Sequence, residues 1–215
     1  MELHSTTRHL IGDHLAVCKC GGYKTIRHSQ LVHTLRSILR ESGASVAPRE
    51  VEVAAWQRAD GRRARLDVSF AVDGHRTFVD LTVRHPRAVK YLQQAAHADG
   101  AAAAVAEAKK RQRYPARPQL GLHAAEPFCV ETFGRLGPAA LRLLHGARQR
   151  AAEREEGVRK EAGLVLQRRW LALLSCSLQL SLQEAACAMW AQDGHLSAAS
   201  GLQQGGPLLP VLRSM

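Results

Sequence analysis

The chain has 215 residues, 46% hydrophobic and only 5% aromatic, so a packed core is within reach but has to be built from Leu, Val and Ala. Thirty basic against 19 acidic residues give a net charge of +11 and a pI near 10.1, a balance that favours polyanionic partners, nucleic acid first among them. Five irregularly spaced cysteines argue against a disulfide framework and for a reducing compartment. The sequence has no uninterrupted apolar run of the roughly 18 residues a membrane span needs, and its first residues lack the basic and apolar regions of a signal peptide.

In chain order, residues 1–27 are rich in His, Gly and Cys and read as irregular. A helix is expected next, with Ser29 as N-cap, Leu31, Val32, Leu35, Ile38 and Leu39 at helical spacing, and Gly43 as its C′ residue. Three strand-like segments follow. Val51, Val53 and Ala55 form the first. Leu66, Val68, Phe70 and Val72 alternate with Asp67, Ser69 and Ala71 in the second. Thr77, Val79, Leu81 and Val83 form the third. Asp60-Gly61 and Asp73-Gly74 are the intervening turns, the latter of the two-residue hairpin kind.

A helical region runs from about Ala88 to Tyr114, broken near Asp99-Gly100 and stopped by Pro115 and Pro118. A short strand is expected over Phe128–Thr132. A helix opens at Gly137-Pro138, the densely charged 148–162 run reads as a solvated helix, and a last helix covers Leu164–Trp190. The organisation expected is a His/Cys segment over 1–27, an α/β core over 28–146, a helical extension over 147–192 and a disordered tail over 193–215.

The hairpin carries the sharpest inference. With Asp73-Gly74 as a two-residue loop, Val72 pairs with His75, Val68 faces Val79, Leu66 faces Leu81, and Asp67 stands opposite Asp80. Their Cβ atoms would then lie about 4.5–5.5 Å apart. Opposed carboxylates repel, and a divalent cation removes the conflict; Mg²⁺ (or Mn²⁺) is the hard ion that accepts one or two carboxylates together with phosphate oxygens. The bland alternative is that both side chains point to solvent.

Arg65-Leu66-Asp67 followed by Val79-Asp80-Leu81-Thr82-Val83 resembles the PD-(D/E)xK pattern. Together with Gly12-Asp13-His14, Cys18, Arg27-His28, the run Lys109-Lys110-Arg111-Gln112-Arg113-Tyr114 and Val130-Glu131-Thr132-Phe133-Gly134, it is similar to the endonuclease domain at the C-terminus of site-specific non-LTR retrotransposon polyproteins. The resemblance spans about residues 12–145 and implies a truncated copy of that domain. It further implies a restriction-endonuclease-like core of helix, three strands, helix and strand, Mg²⁺-dependent DNA nicking, and a nuclear location.

The resemblance makes Asp67 and Asp80 metal ligands and requires a lysine to orient or deprotonate the attacking water. Thr82 stands where that lysine would sit in the wider superfamily. In the retrotransposon group the lysine comes from the following helix, shortly before a Tyr. Lys110, four residues before Tyr114, matches that place, with Glu107 three residues earlier on the same helix face. The family also has a zinc knuckle before the core. His14 and Cys18 match its second half, the first-half cysteines are missing, and His14, Cys18, Cys20 and His28 remain as a degenerate Zn²⁺ ligand set, with His33 a further candidate.

Arg62, Arg63 and Arg65, and Lys109, Arg111 and Arg113, are candidate phosphate contacts that would give salt-sensitive, sequence-independent DNA binding. The competing readings are a decayed remnant that keeps the fold and at most binds DNA, and a plain interaction module with a basic surface.

Overall fold

A computed structural model describes residues 13, 16–17, 22–57, 61–154 and 160–192. The elements are helix α1 (Tyr23–Glu41), strands β1 (Ser45–Val46), β2 (Val51–Gln57), β3 (Arg63–Leu66), β4 (Val68–Val72) and β5 (His75–Arg84), helices α2 (Val89–His97) and α3 (Ala101–Arg113), strand β6 (Glu126–Glu131), and helices α4 (Pro138–Arg154) and α5 (Lys160–Gln192). The fold is mixed α/β. A four-stranded sheet in the order β1-β4-β5-β6 is antiparallel except for the parallel β5–β6 pair, and β2 and β3 form a separate antiparallel hairpin sheet.

Helix α1 begins earlier than its sequence signal. Gly22 precedes its first turn, and Ser29 lies in the helix interior. A mid-helix serine costs only a few tenths of a kcal/mol, about what a single tertiary contact returns, and Arg27 supplies one: it is buried and its guanidinium donates to the Ala16 carbonyl at 2.9 Å. The other end follows the expectation. Gly43 has φ 88°, its N–H donates to Arg40 O, and Ala44 N–H donates to Leu39 O, a Schellman closure that needs a residue without a Cβ.

The hairpin register is as the turn chemistry predicts. Asp73 and Gly74 both take positive φ (48° and 79°), and the ladder runs from Val72↔His75 to Val68↔Val79. The second expected strand is not continuous, however. It breaks at Asp67 into β4, which stays in the main sheet, and β3, which leaves to pair with β2. Leu66 therefore pairs with Val51 and does not face Leu81. It packs instead in a small cluster with Trp56, Phe78 and Tyr114, where Trp56 meets Phe78 edge-on at 5.8 Å and donates its indole N–H to Pro115 O at 2.9 Å.

Alternation then divides the sheet. Val68, Phe70, Val79, Leu81, Phe128 and Val130 bury one face against α1, α4 and α5, and Phe78, Asp80 and Cys129 point to the other, toward β2–β3 and α3. Burial pushes the Cys129 thiol up to about 12, so it has almost no thiolate at neutral pH. Peptide mapping after brief iodoacetamide treatment at pH 8 is expected to find exposed Cys176 and Cys187 modified and Cys129 untouched. Native-state labelling of Cys129 would contradict its place in the sheet.

Helix α5 is part of the same core. Trp170, Leu174, Leu178, Ser181 and Ala185 make a buried stripe at helical spacing, and the Trp170 indole donates to Glu41 of α1 at 2.9 Å. The expected boundaries at 27/28 and 146/147 consequently fall inside α1 and α4. Gly163–Ala188, with mean hydropathy 1.2, is the one described segment long and apolar enough to cross a membrane by length and composition alone. About 22% of that segment is buried, in the stripe facing the core, while Leu164, Val165, Leu173 and Leu180 are exposed.

Candidate active site

The strand break creates the site. At Asp67 the chain swings out of the main sheet, and its backbone and side chain are taken up by neighbours outside the ladder. The Arg36 guanidinium of α1 donates to the Asp67 carbonyl at 2.6 Å. The carboxylate turns back to the sheet, where Oδ2 accepts the Leu81 backbone N–H at 2.7 Å. The His28 imidazole of α1 closes the arrangement, its Nε2 lying 3.3 Å from the same Oδ2 and 3.2 Å from Leu81 O.

Asp80 sits beside this on β5, directed to the opposite face from Val79 and Leu81 by strand alternation. Its Oδ2 accepts from Lys110 Nζ of α3 at 2.5 Å, and its carboxyl lies close enough to that of Asp67 for the two charges to interact. The two aspartates are neighbours, but not as the directly opposed pair that the hairpin arithmetic expected: the ladder ends at Val68↔Val79, and Asp67 lies one residue past it. Both are almost fully buried, at 8% and 6% exposure, so bulk water does not screen them. Burial raises the Asp80 carboxyl above its ordinary range, with the neighbouring Asp67 charge adding to the effect and Lys110 opposing it. His28 is held above the usual imidazole range chiefly by its hydrogen bond to Asp67, against the opposing effect of burial.

Two neighbouring buried carboxylates, one of them reluctant to ionise, suit a hard divalent ion. Mg²⁺ or Mn²⁺ takes such a pair and fills its remaining positions with water and phosphate oxygens. Among the described residues, no group of three or more His, Cys, Asp or Glu side chains is arranged to hold a metal. The zinc expectation falls largely outside the described residues, since His14, Cys18 and Cys20 lie there. His28, the described member of that set, is engaged with Asp67.

Glu107 shares α3 with Lys110 but works elsewhere. Its carboxylate, 1% exposed, accepts the backbone N–H groups of Ala139 and Ala140 at 2.9–3.2 Å and so caps α4. Thr82 is buried on β5, paired with Cys129 across the sheet. Among the basic candidates, Lys109, Arg111 and Arg113 are exposed at the end of α3, one turn or less from Lys110. Arg62, Arg63 and Arg65 are exposed too, and Arg65 forms an ion pair with Glu50 at 2.5 Å.

The sequence reading missed Arg36, and it missed the partnership of His28 with Asp67. The eight-residue spacing of His28 and Arg36, just over two helical turns, puts both on one side of α1 and is the only local signal of it. A further cluster also went unread. His85, buried, contacts Thr132 Oγ1 at 2.7 Å and Asp13 Oδ1 at 3.1 Å, and Arg87 reaches the same Asp13 at 3.3 Å. Its pKa is lowered by burial, with Asp13 opposing. With Thr132 only 1% exposed, the cluster fastens Asp13 to the ends of β5 and β6 and offers no accessible hydroxyl. No protein-family model matches the chain, and no curated protein sequence matches it.

Proposed function

We propose that this chain is a metal-dependent DNA endonuclease of the restriction-endonuclease-like type, akin to the target-nicking domain of non-LTR retrotransposons. The observation that carries the reading is the convergence of Asp67, Asp80 and Lys110, from a strand break, a strand and a helix, into one buried cluster. Asp67 and Asp80 would hold Mg²⁺ (or Mn²⁺), which when bound supplies Lewis-acid activation of water and of the scissile phosphate. Lys110 presents a donor at the same spot, placed to orient the attacking water and to offset the charge that develops on the phosphate oxygens. The exposed Lys109, Arg111 and Arg113 on the same helix end would meet flanking phosphates and add a salt-sensitive share of binding.

One observation favours a second reading. The Lys110–Asp80 ion pair neutralises a carboxylate without any metal, as suits a remnant that retains the fold and binds DNA without cutting it. Supercoiled plasmid incubated with the purified protein, in Mg²⁺ and in EDTA, separates the two. Nicking in Mg²⁺ alone supports the nuclease. Salt-sensitive DNA binding with no nicking in either Mg²⁺ or Mn²⁺ supports the remnant. For the nuclease, Lys110→Ala is expected to lower the single-turnover nicking rate by about a hundredfold or more, the usual effect of removing one preorganised donor. An unchanged rate would take Lys110 out of the chemistry.

A further inference from the structure

Asp67 lies one residue outside the β4–β5 ladder, so strand pairing does not fix it. Helix α1 does so instead, gripping the same residue twice: Arg36 at the main-chain carbonyl and His28 at the carboxylate. The helix is a rigid support, since Leu31, Leu35, Ile38 and Leu39 are buried in the main core.

We infer that His28 is a positioning residue for the metal centre, its Nε2–H fixing Asp67 Oδ2 so that the carboxylate meets the ion with its other oxygen. The inference rests on the nuclease reading of the site. Three details carry it. The donors Leu81 N–H and His28 Nε2 converge on a single oxygen of Asp67. The same Nε2 lies 3.2 Å from Leu81 O, an acceptor that selects the tautomer with its proton on Nε2. And no other described protein donor is placed on the Asp67 carboxylate, so removing the imidazole leaves it one backbone hydrogen bond and the freedom to rotate about its side-chain torsions. Hydrogen-bond partners that orient metal-binding side chains contribute about 10–100-fold in metal affinity.

The probe is Mn²⁺ alone, with no DNA present, its free concentration read by electron paramagnetic resonance during titration of the full chain. His28→Ala is expected to weaken Mn²⁺ binding by about 10–100-fold. His28→Gln, whose amide nitrogen reaches the place of Nε2, should bind within about threefold of wild type, and His28→Asn, one methylene shorter, should be as weak as alanine. The Gln/Asn comparison isolates reach from chemistry and stands even if the alanine variant folds poorly; thermal melts by circular dichroism check each variant. Equal affinity in all four proteins would overturn the role. A ¹⁴N coupling to bound Mn²⁺ that disappears in His28→Ala would overturn it too, by making His28 a direct ligand. Failure of the wild type itself to bind Mn²⁺, or binding undisturbed by Asp80→Ala, would strike at the nuclease reading and distinguish its failure from that of His28.

Discussion

On the nuclease reading, Asp80→Ala is expected to abolish Mg²⁺-dependent plasmid nicking and to leave DNA affinity within about twofold of wild type; both expectations follow from where the carboxylate sits. Asp80 is buried beside Asp67 and accepts from Lys110, so no exposed candidate phosphate contact depends on it. A metal ion contributes several kcal/mol of charge stabilisation, which at about 1.4 kcal/mol per decade is a thousandfold or more in rate. Plasmid nicking and fluorescence anisotropy on a labelled duplex, run side by side, measure the two effects. Residual nicking above a hundredth of the wild-type rate would remove Asp80 from the metal site.

Replacing Asp80 by its neutral amide, Asp80→Asn, carries a stability signature of opposite sign. An acid whose folded pKa is raised binds its proton more tightly when folded. Its ionisation therefore costs stability as pH rises from the unfolded value through the folded one. At pH 7 and without metal, Asp80→Asn is expected to melt no lower than wild type, as a residue kept for binding an ion rather than for holding the fold should behave. A fall of several degrees would assign Asp80 a structural role.

Glu107→Ala should be the most damaging single change outside the apolar core. The Glu107 carboxylate is the acceptor for the first free N–H groups of α4, and the variant leaves Ala139 N–H and Ala140 N–H buried without it. Losing a charged, buried cap costs about 2–4 kcal/mol. The packing leaves no easy substitute, because even a Cβ on Gly137 would strike the Glu107 carboxylate. Urea denaturation followed at 222 nm tests this. Loss below about 1 kcal/mol would mean that water reaches the helix end and the cap is dispensable. Glu107→Gln, which keeps one acceptor oxygen, should recover part of the deficit.

What could be read from the sequence was local chemistry. The Asp73-Gly74 turn fixed the register, because only residues tolerant of positive φ make that hairpin, and period-two alternation then put Asp80 on the face away from the core. Gly43 marked the end of α1 for the same reason. The exit of β3 was hidden, because Leu66 continues the alternation of β4 and only its distant partners Trp56, Phe78 and Tyr114 draw it to the other sheet. Sequence spacing put Glu107 on the same helix face as Lys110 and gave it no further role. Its true partners lie about thirty residues later in the chain, beyond any spacing rule. His28 was read among neighbouring His and Cys residues as a metal ligand, whereas its contact is with Asp67.

The carboxylate caps also govern the lysine. Glu131, at the end of β6, accepts the Ala103 N–H in the first turn of α3, and Glu107, midway along α3, holds the start of α4. Lys110 is thus placed by a helix fastened at Glu131 and Glu107 and packed through Ala103 and Ala106 against Cys129 of β6. The place of the Lys110 ammonium beside Asp80 is therefore tied to how two helices begin, at residues far from Asp80 in the sequence.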